Sequence, residues 1–347
     1  MFSRRMSRSI LAIGLSTLML VAAACGGDDE GPSAGGGSTT EGGKAIKVGL
    51  VTDIGGLNDR SFNSLANKGL QDAKKQLGVE GRVITSDQNS DYVPNLSTLA
   101  QQRYDLVIGV GFLMADAINT VAKRFPETKF AVVDVSQATL KDKPANVEGL
   151  LFSEQQAGYL VGYLAGLYAK EKGFDTISSV GGEKIPPVDH YIAGYQAGAK
   201  AANPQIKTLN GYSQDFVDQA KCKEIALDHI ERGAGVVFQV AGQCGLGALD
   251  AAKQEGKQGI GVDADQGYLG DHVLTSATKK VDVAVFDTIK SVQEGNFDAG
   301  SDQLFDLGND GVGIGKVSAE GASLEDELEP IREQIVSGEL TVPDTVK

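Results

Sequence analysis

The sequence predicts an α/β protein of two lobes, each built on a doubly wound parallel sheet, and three observations carry that reading. At 347 residues with 41% hydrophobic content, the chain is longer than one ordinary core holds. Short β-branched runs alternate with longer amphipathic segments from Ala45 onward. After "VEGLLFSEQQ" the same alternation starts again, so two similar halves are expected.

The elements follow in order. "IKVGLVTD" (Ile46 to Asp53) reads as a strand, "SFNSLANKGLQDAKKQLG" (Ser61 to Gly78) as a helix and "RVITSD" as the next strand. "PNLSTLAQQ" is helical, "YDLVIGVG" a strand, "LMADAINTVAKRFP" a helix and "KFAVVDV" a strand. The second half opens with a long small-residue helix from Glu154 to Lys172, expected to pack closely on the second sheet. It continues as "TISSVGG", "VDHYIAGYQAGAKAA", "IKTLNGY", "VDQAKCKEIALDHIERG", "GVVFQVA", "LGALDAAKQEG" and "QGIGVDAD", strands alternating with helices. Such uniformly apolar strands are buried on both faces by helices. A last helix, Val281 to Gly295, and the segment "GVGIGKVS" are expected to cross back between the lobes.

The N-terminus is a secretory signal peptide over 1–24: Arg4, Arg5 and Arg8 precede the apolar run Ile10 to Ala24, which is too short to span a membrane comfortably. The run ends "LVAAACGG", which resembles the lipobox of bacterial lipoproteins, with Ala22 where that pattern favours leucine. Cleavage there is expected to make Cys25 the lipidated residue, the alternative being a secreted protein cut nearby with Cys25 incidental. From 25 to 45 the chain is a flexible linker, because "GGDDEGPSAGGGSTTEGG" buries too little apolar surface to offset ordering. Lobe 1 is expected over 46–150 plus about 275–300, and lobe 2 over 151–274 plus about 301–347. Export permits a Cys222–Cys244 disulfide, the alternative being two small buried thiols.

The net charge of −14, taken to about −17 by loss of three leader arginines, repels nucleic acid. No P-loop, dinucleotide fingerprint, Gly-x-Ser-x-Gly elbow or histidine pair with metal spacing occurs, so the sequence offers no cofactor, no metal and no catalytic set. His190, His229 and His272 are read as surface or packing residues. Ligands in open α/β sheets bind beyond the carboxyl ends of the strands, which is where Asp53, Asn58, Asp59, Phe62, Asp134, Gly242 and Asp263 stand. Phe62 and Phe216 suit the two faces of a flat ligand, Asp263 a vicinal diol, and Lys279 a sugar hydroxyl. Phe62 facing the core and Asp59 capping a helix are the plain alternatives. The abundance of acids favours a nucleoside over a nucleotide.

"VTDIGGLNDRSFNSLANKG", "IGVGFLMADAI", "EQQAGYLVGYLAG", "VGGEKIPPVDHYIAGYQAGAK", "FQVAGQCGLGAL", "GVDADQ" and "LTSATKKVDVAV", in that order, resemble the basic membrane protein (BMP) family of ABC-transporter substrate-binding lipoproteins, PnrA-like purine nucleoside receptors. The resemblance covers about Lys47 to about Gly315. It implies a type I periplasmic-binding fold whose lobes are joined by three crossovers and close over a nucleoside. It implies further that Phe62 and Phe216 sandwich the base, that Asp53, Asn58 and Asp59 surround it, and that Asp263 and Lys279 bind the ribose, with Lys280 a rival and Asp134 and Gly242 nearby. The partners implied are a permease and, through the lipid, the extracytoplasmic face of the membrane. A receptor for a sugar or signalling metabolite, and more remotely a secreted nucleoside-cleaving enzyme, are the competing functions.

Overall fold

The structure is a computed structural model that describes residues 45–346; the leader, Cys25 and the linker through residue 44 lie outside the described residues. In chain order the first strands are β1 (Lys47–Val51), β2 (Glu80–Ile84), β3 (Leu106–Val110), β4 (Lys129–Val133) and β5 (Val147–Phe152). The second set is β6 (Thr176–Gly181), β7 (Lys207–Tyr212), β8 (Ala234–Val240), β9 (Gln258–Asp263) and β10 (Val273–Lys279), followed by β11 (Asp302–Phe305) and β12 (Val312–Ile314). One sheet runs β11-β5-β4-β3-β1-β2 and the other β12-β10-β9-β8-β6-β7. The two orders correspond term by term. Among the described strands only β12, at the edge of the second sheet, pairs antiparallel.

Helices cover both faces of the sheets: α1 (Phe62–Leu77), α2 (Tyr92–Gln101), α3 (Ala115–Arg124), α4 (Glu154–Lys172), α5 (Pro186–Ala202), α6 (Gln219–Glu231), α7 (Gly242–Gln254), α8 (Val281–Glu294) and α9 (Leu328–Val336). Successive β3 residues feed separate cores, Leu106, Ile108 and Val110 on one face and Val107 on the other, which is why the strand is apolar throughout. Helix α1 stops at Gly78, whose φ of 70° only a residue without a β-carbon adopts freely. The small residues of α4 meet α5 rather than the sheet alone. Gly158 and Gly162 lie against the carbonyls of Tyr191 and Tyr195, while Gly194 and Gly198 of α5 lie against those of Gln155 and Tyr159.

Three chain segments pass between the lobes, after Phe152, after Lys279 and over 306–311. They are tied side by side: Ser153 N–H donates to the Phe305 carbonyl (2.9 Å) and Lys280 N–H to that of Gly311 (2.8 Å). The Phe152 and Phe305 rings stack with centroids 4.9 Å apart. These positions correct the expected lobe boundaries. Strand β10 belongs wholly to the second sheet, so the chain re-enters lobe 1 at Lys280 and not near 275. Strand β11 pairs with β5 in the first sheet, so lobe 1 continues through Phe305 and not only to about 300.

Candidate functional site

A cavity lies between the lobes at the carboxyl ends of both sheets, where ligands bind in open α/β folds. The lobe 1 wall is built by the turn after β1. Asp59 accepts the backbone amides of Ser61 (3.1 Å), Asn63 (2.6 Å) and Ser64 (3.0 Å), so it pins the turn and satisfies amides at the start of α1. That turn holds Phe62 at the cavity. Asn63 Nδ2 donates to Asp53 Oδ1 at 2.6 Å. Gly111, with φ 114°, stands so close that a β-carbon there would come within 2.7 Å of Asp53 Oδ2.

The lobe 2 wall carries Phe216, whose ring fills the space a side chain on Gly182 would need. Cys222 of α6 and Cys244 of α7 are joined as a disulfide, with Cα atoms 5.6 Å apart. The bridge steadies the loop holding Phe216, whose carbonyl accepts the Cys244 amide at 3.0 Å. Asp263 closes this wall. Its Oδ1 accepts from the Tyr191 hydroxyl (3.3 Å) and its Oδ2 from Ser61 Oγ (2.7 Å), the latter bond running from one lobe to the other. Ser61 Oγ also reaches the Val262 carbonyl at 3.2 Å, and the lobes are therefore closed onto each other here.

Lys279, only 2% exposed, forms the floor. Its Nζ donates to Asp134 Oδ1 (2.6 Å) and to Glu154 Oε1 (2.8 Å) and lies over the Phe62 and Phe152 rings at 5.1 and 4.7 Å. Glu154 Oε2 is in turn 3.1 Å from His190 Nδ1. Burial works against the ammonium, but the charges of Asp134, Glu154 and Asp263 hold its pKa above the usual lysine range. Burial pushes Asp53 well above the usual carboxylate range, the bond from Asn63 opposing and the charges of Asp59, Asp134 and Asp263 adding to it. Asp134 and Asp263 are also raised by burial, with Lys279 opposing in each. Glu154 goes the other way, because Lys279 and His190 together outweigh its burial.

Asp53, Asp59, Phe62, Asp134, Phe216, Gly242, Asp263 and Lys279 all line this one cavity. Asn58 does not. Neighbouring residues of the turn face opposite ways, so Asp59 points inward while Asn58 is exposed in a separate outer groove with Arg60. Lys280 likewise is exposed, lining a groove on the hinge side. His190 is not a bystander on the surface but part of the buried ionic chain. Sequence reasoning also passed over Glu154, Tyr191 and Ser61 as site residues. The one signal available for Glu154 was its position as a lone acid opening an otherwise apolar helix directly after a strand.

Residues 46–346 match the family model described as ABC transporter substrate-binding protein PnrA-like. The chain belongs to this family. Among PnrA-like relatives, an uncharacterized lipoprotein of Pyrococcus horikoshii is 38% identical over 291 residues, covering 80% of this chain and 70% of that protein. The ABC transporter nucleoside-binding protein BmpA of Lactococcus lactis is 34% identical over 320 residues, covering 86% of this chain and 89% of the relative. In three dimensions the chain resembles an ABC transporter solute-binding protein from Aeropyrum pernix, with TM-score 0.78 and 27% identity over 86% of this chain and 94% of that one. PnrA-like membership and the two-sheet architecture agree: this is an ABC transporter substrate-binding protein of the periplasmic-binding fold. No described helix is long and apolar enough to cross a membrane.

Proposed function

We propose that the protein is an extracytoplasmic lipoprotein, anchored through Cys25, that binds a nucleoside, purine favoured, between its lobes and delivers it to an ABC transporter permease. The observation that carries the ligand class is the pairing of Phe62 and Phe216, one ring from each lobe, in a cavity whose sole lining cation among the described residues is already matched by two carboxylates. Aromatic faces supply roughly 1–3 kcal/mol per stacked base. Among the described residues a phosphate finds no unmatched positive charge and four lining aspartates, so the guest is neutral or cationic. An ammonium has three donors, and Lys279 spends two on Asp134 and Glu154, leaving one for a ribose hydroxyl. Asp263 keeps lone pairs for a vicinal diol beside those used by Ser61 and Tyr191. The relative named as a nucleoside-binding protein and those named as lipoproteins support the same reading.

The test is direct. The purified protein is unfolded, any released small molecule is identified by mass spectrometry, and adenosine, guanosine, inosine, cytidine, arabinose and AMP are then titrated by calorimetry. A purine nucleoside bound at least tenfold more tightly than AMP or arabinose is expected; preference for the sugar overturns the ligand assignment. For the anchor, the expected result is incorporation of labelled fatty acid in cells, lost in Cys25→Ser.

A further inference from the structure

We propose that His190 is a positioning residue of the ligand cavity, which acts through Glu154 on Lys279 and makes binding depend on a proton held outside the cavity wall. The inference rests on the nucleoside reading above and deepens it by naming a control on the same site. Asp134 and Glu154 both contact the one ammonium of Lys279, and the charge of Asp263 acts on it as well, which leaves a surplus of negative charge in a place where net charge is costly. A protonated His190 reduces that surplus. Glu154 is stretched between the two cations, Oε1 on Lys279 and Oε2 on His190, so both of its oxygens are committed and its rotamer is set from both ends.

The geometry makes His190 the exposed end of a buried line. Its side chain keeps 32% of its surface, whereas those of Glu154, Lys279 and Asp134 keep 3%, 2% and 5%. Solvent protons therefore reach His190 and not the rest. The groups that act on it are Glu154 from α4, Asp344 from the C-terminal segment and Lys279 from β10. Its neighbour Asp189 is turned to the Tyr212 hydroxyl at 2.5 Å. Burial pulls the imidazole's pKa down, but the bond and charge of Glu154, with Asp344, leave it raised. The docking of α5 on α4 through Gly158 and Gly194 fixes the distance between His190 and Glu154.

When His190 is protonated, Glu154 is shared and Lys279 presents its remaining N–H with its charge less spent. When the proton leaves, a neutral ring protonated at Nδ1 still donates to Glu154, but the positive charge opposing Glu154 is gone and the surroundings of Lys279 become more negative by one charge. Binding of a sugar hydroxyl to that N–H weakens, and affinity falls as pH rises through the His190 titration.

Calorimetric titration of inosine and adenosine from pH 5.5 to 8.5 tests this on the full mature protein. The expected result is about a fivefold weakening across the His190 titration in the wild type, a shallower profile over the same window in His190→Gln, where Asp134, pushed up to about 7 by burial, still titrates, and retained high-pH affinity in His190→Lys. An equal slope in wild type and His190→Gln, or a flat wild-type profile, overturns the inference. Imidazole NMR gives a readout without ligand: the His190 titration midpoint falls in Glu154→Gln, and an unchanged midpoint overturns the link. If no nucleoside binds at any pH, the proposed function fails, and the NMR result still judges the His190–Glu154 coupling.

Discussion

Asp134 and Asp263 stand at corresponding strand ends, after β4 in one lobe and at the end of β9 in the other, and both hold a left-handed backbone, with φ of 69° and 59°. Both carboxylates face the same cavity. Outside glycine this conformation is uncommon, and Asp and Asn are among the residues that tolerate it best. The correspondence lets backbone and charge be separated by substitution. Asp263→Asn keeps the tolerated backbone, so its melting temperature should stay within a few degrees of wild type while nucleoside affinity drops at least tenfold in calorimetry. Asp263→Ala should lose affinity similarly and also about 1 kcal/mol of stability.

Phe62→Ala removes one aromatic wall without touching the Asp59 bonds that hold the turn. Affinity for a purine nucleoside should fall at least tenfold, equal to about 1.4 kcal/mol and within the range for one base stack. An unchanged dissociation constant would remove Phe62 from the site.

Lys279 and Lys280 are adjacent and should behave as opposites. Lys279→Met leaves Asp134 buried without a counter-charge and Glu154 with His190 alone, and a loss of about 3–5 kcal/mol in urea unfolding is expected. Lys280→Met, at an exposed position, should leave the unfolding midpoint where it is.

Glu148 in β5 gives a pH signature of its own. Burial and the charge of Asp298 push its pKa up to about 7, and its Oε2 is buried with no hydrogen-bond partner. Below the unfolded value near 4.5 both states hold the proton and the group contributes nothing. Between there and about 7 the folded state holds the proton more tightly, so stability falls as pH rises, and above 7 the penalty is complete. Glu148→Gln should therefore be more stable than wild type at pH 8, by about 1 kcal/mol once solvent screening is allowed for, and indistinguishable at pH 4. Urea unfolding at both values checks it.

Gly162→Ala tests the α4–α5 contact, since the added methyl would overlap the Tyr195 carbonyl. A loss of about 1–3 kcal/mol is expected as the helices separate. Nucleoside affinity should fall as well, because Glu154 and Tyr191 are carried by these two helices.

What could be read from the sequence was whatever repeats locally. The span of α4, Glu154 to Lys172, follows from its composition and ends at a left-handed Gly173. The strands β3, β4 and β8 announce themselves because both faces are buried. Strands β11 and β12 do not: they have four and three residues, lie at sheet edges, and "DQLF" has three exposed positions out of four. Placing β10 and β11 in the correct lobe requires pairing across more than 140 residues of chain in the case of β11 with β5. The cavity aspartates were legible because they end apolar strands. Glu154 and His190 were not, because their importance lies in each other and in Lys279, 125 residues beyond Glu154.

The ammonium of Lys279 sits one residue before the chain passes from one sheet to the other, and it grips an acid from each side of that passage. A rotation that parts the lobes stretches its bond to Asp134 as well as the Ser61–Asp263 bond, so part of the electrostatic cost of opening falls at the pivot. A guest that hydrogen-bonds the same ammonium thus meets the pivot itself, and occupancy can bias the angle between the lobes without a separate relay.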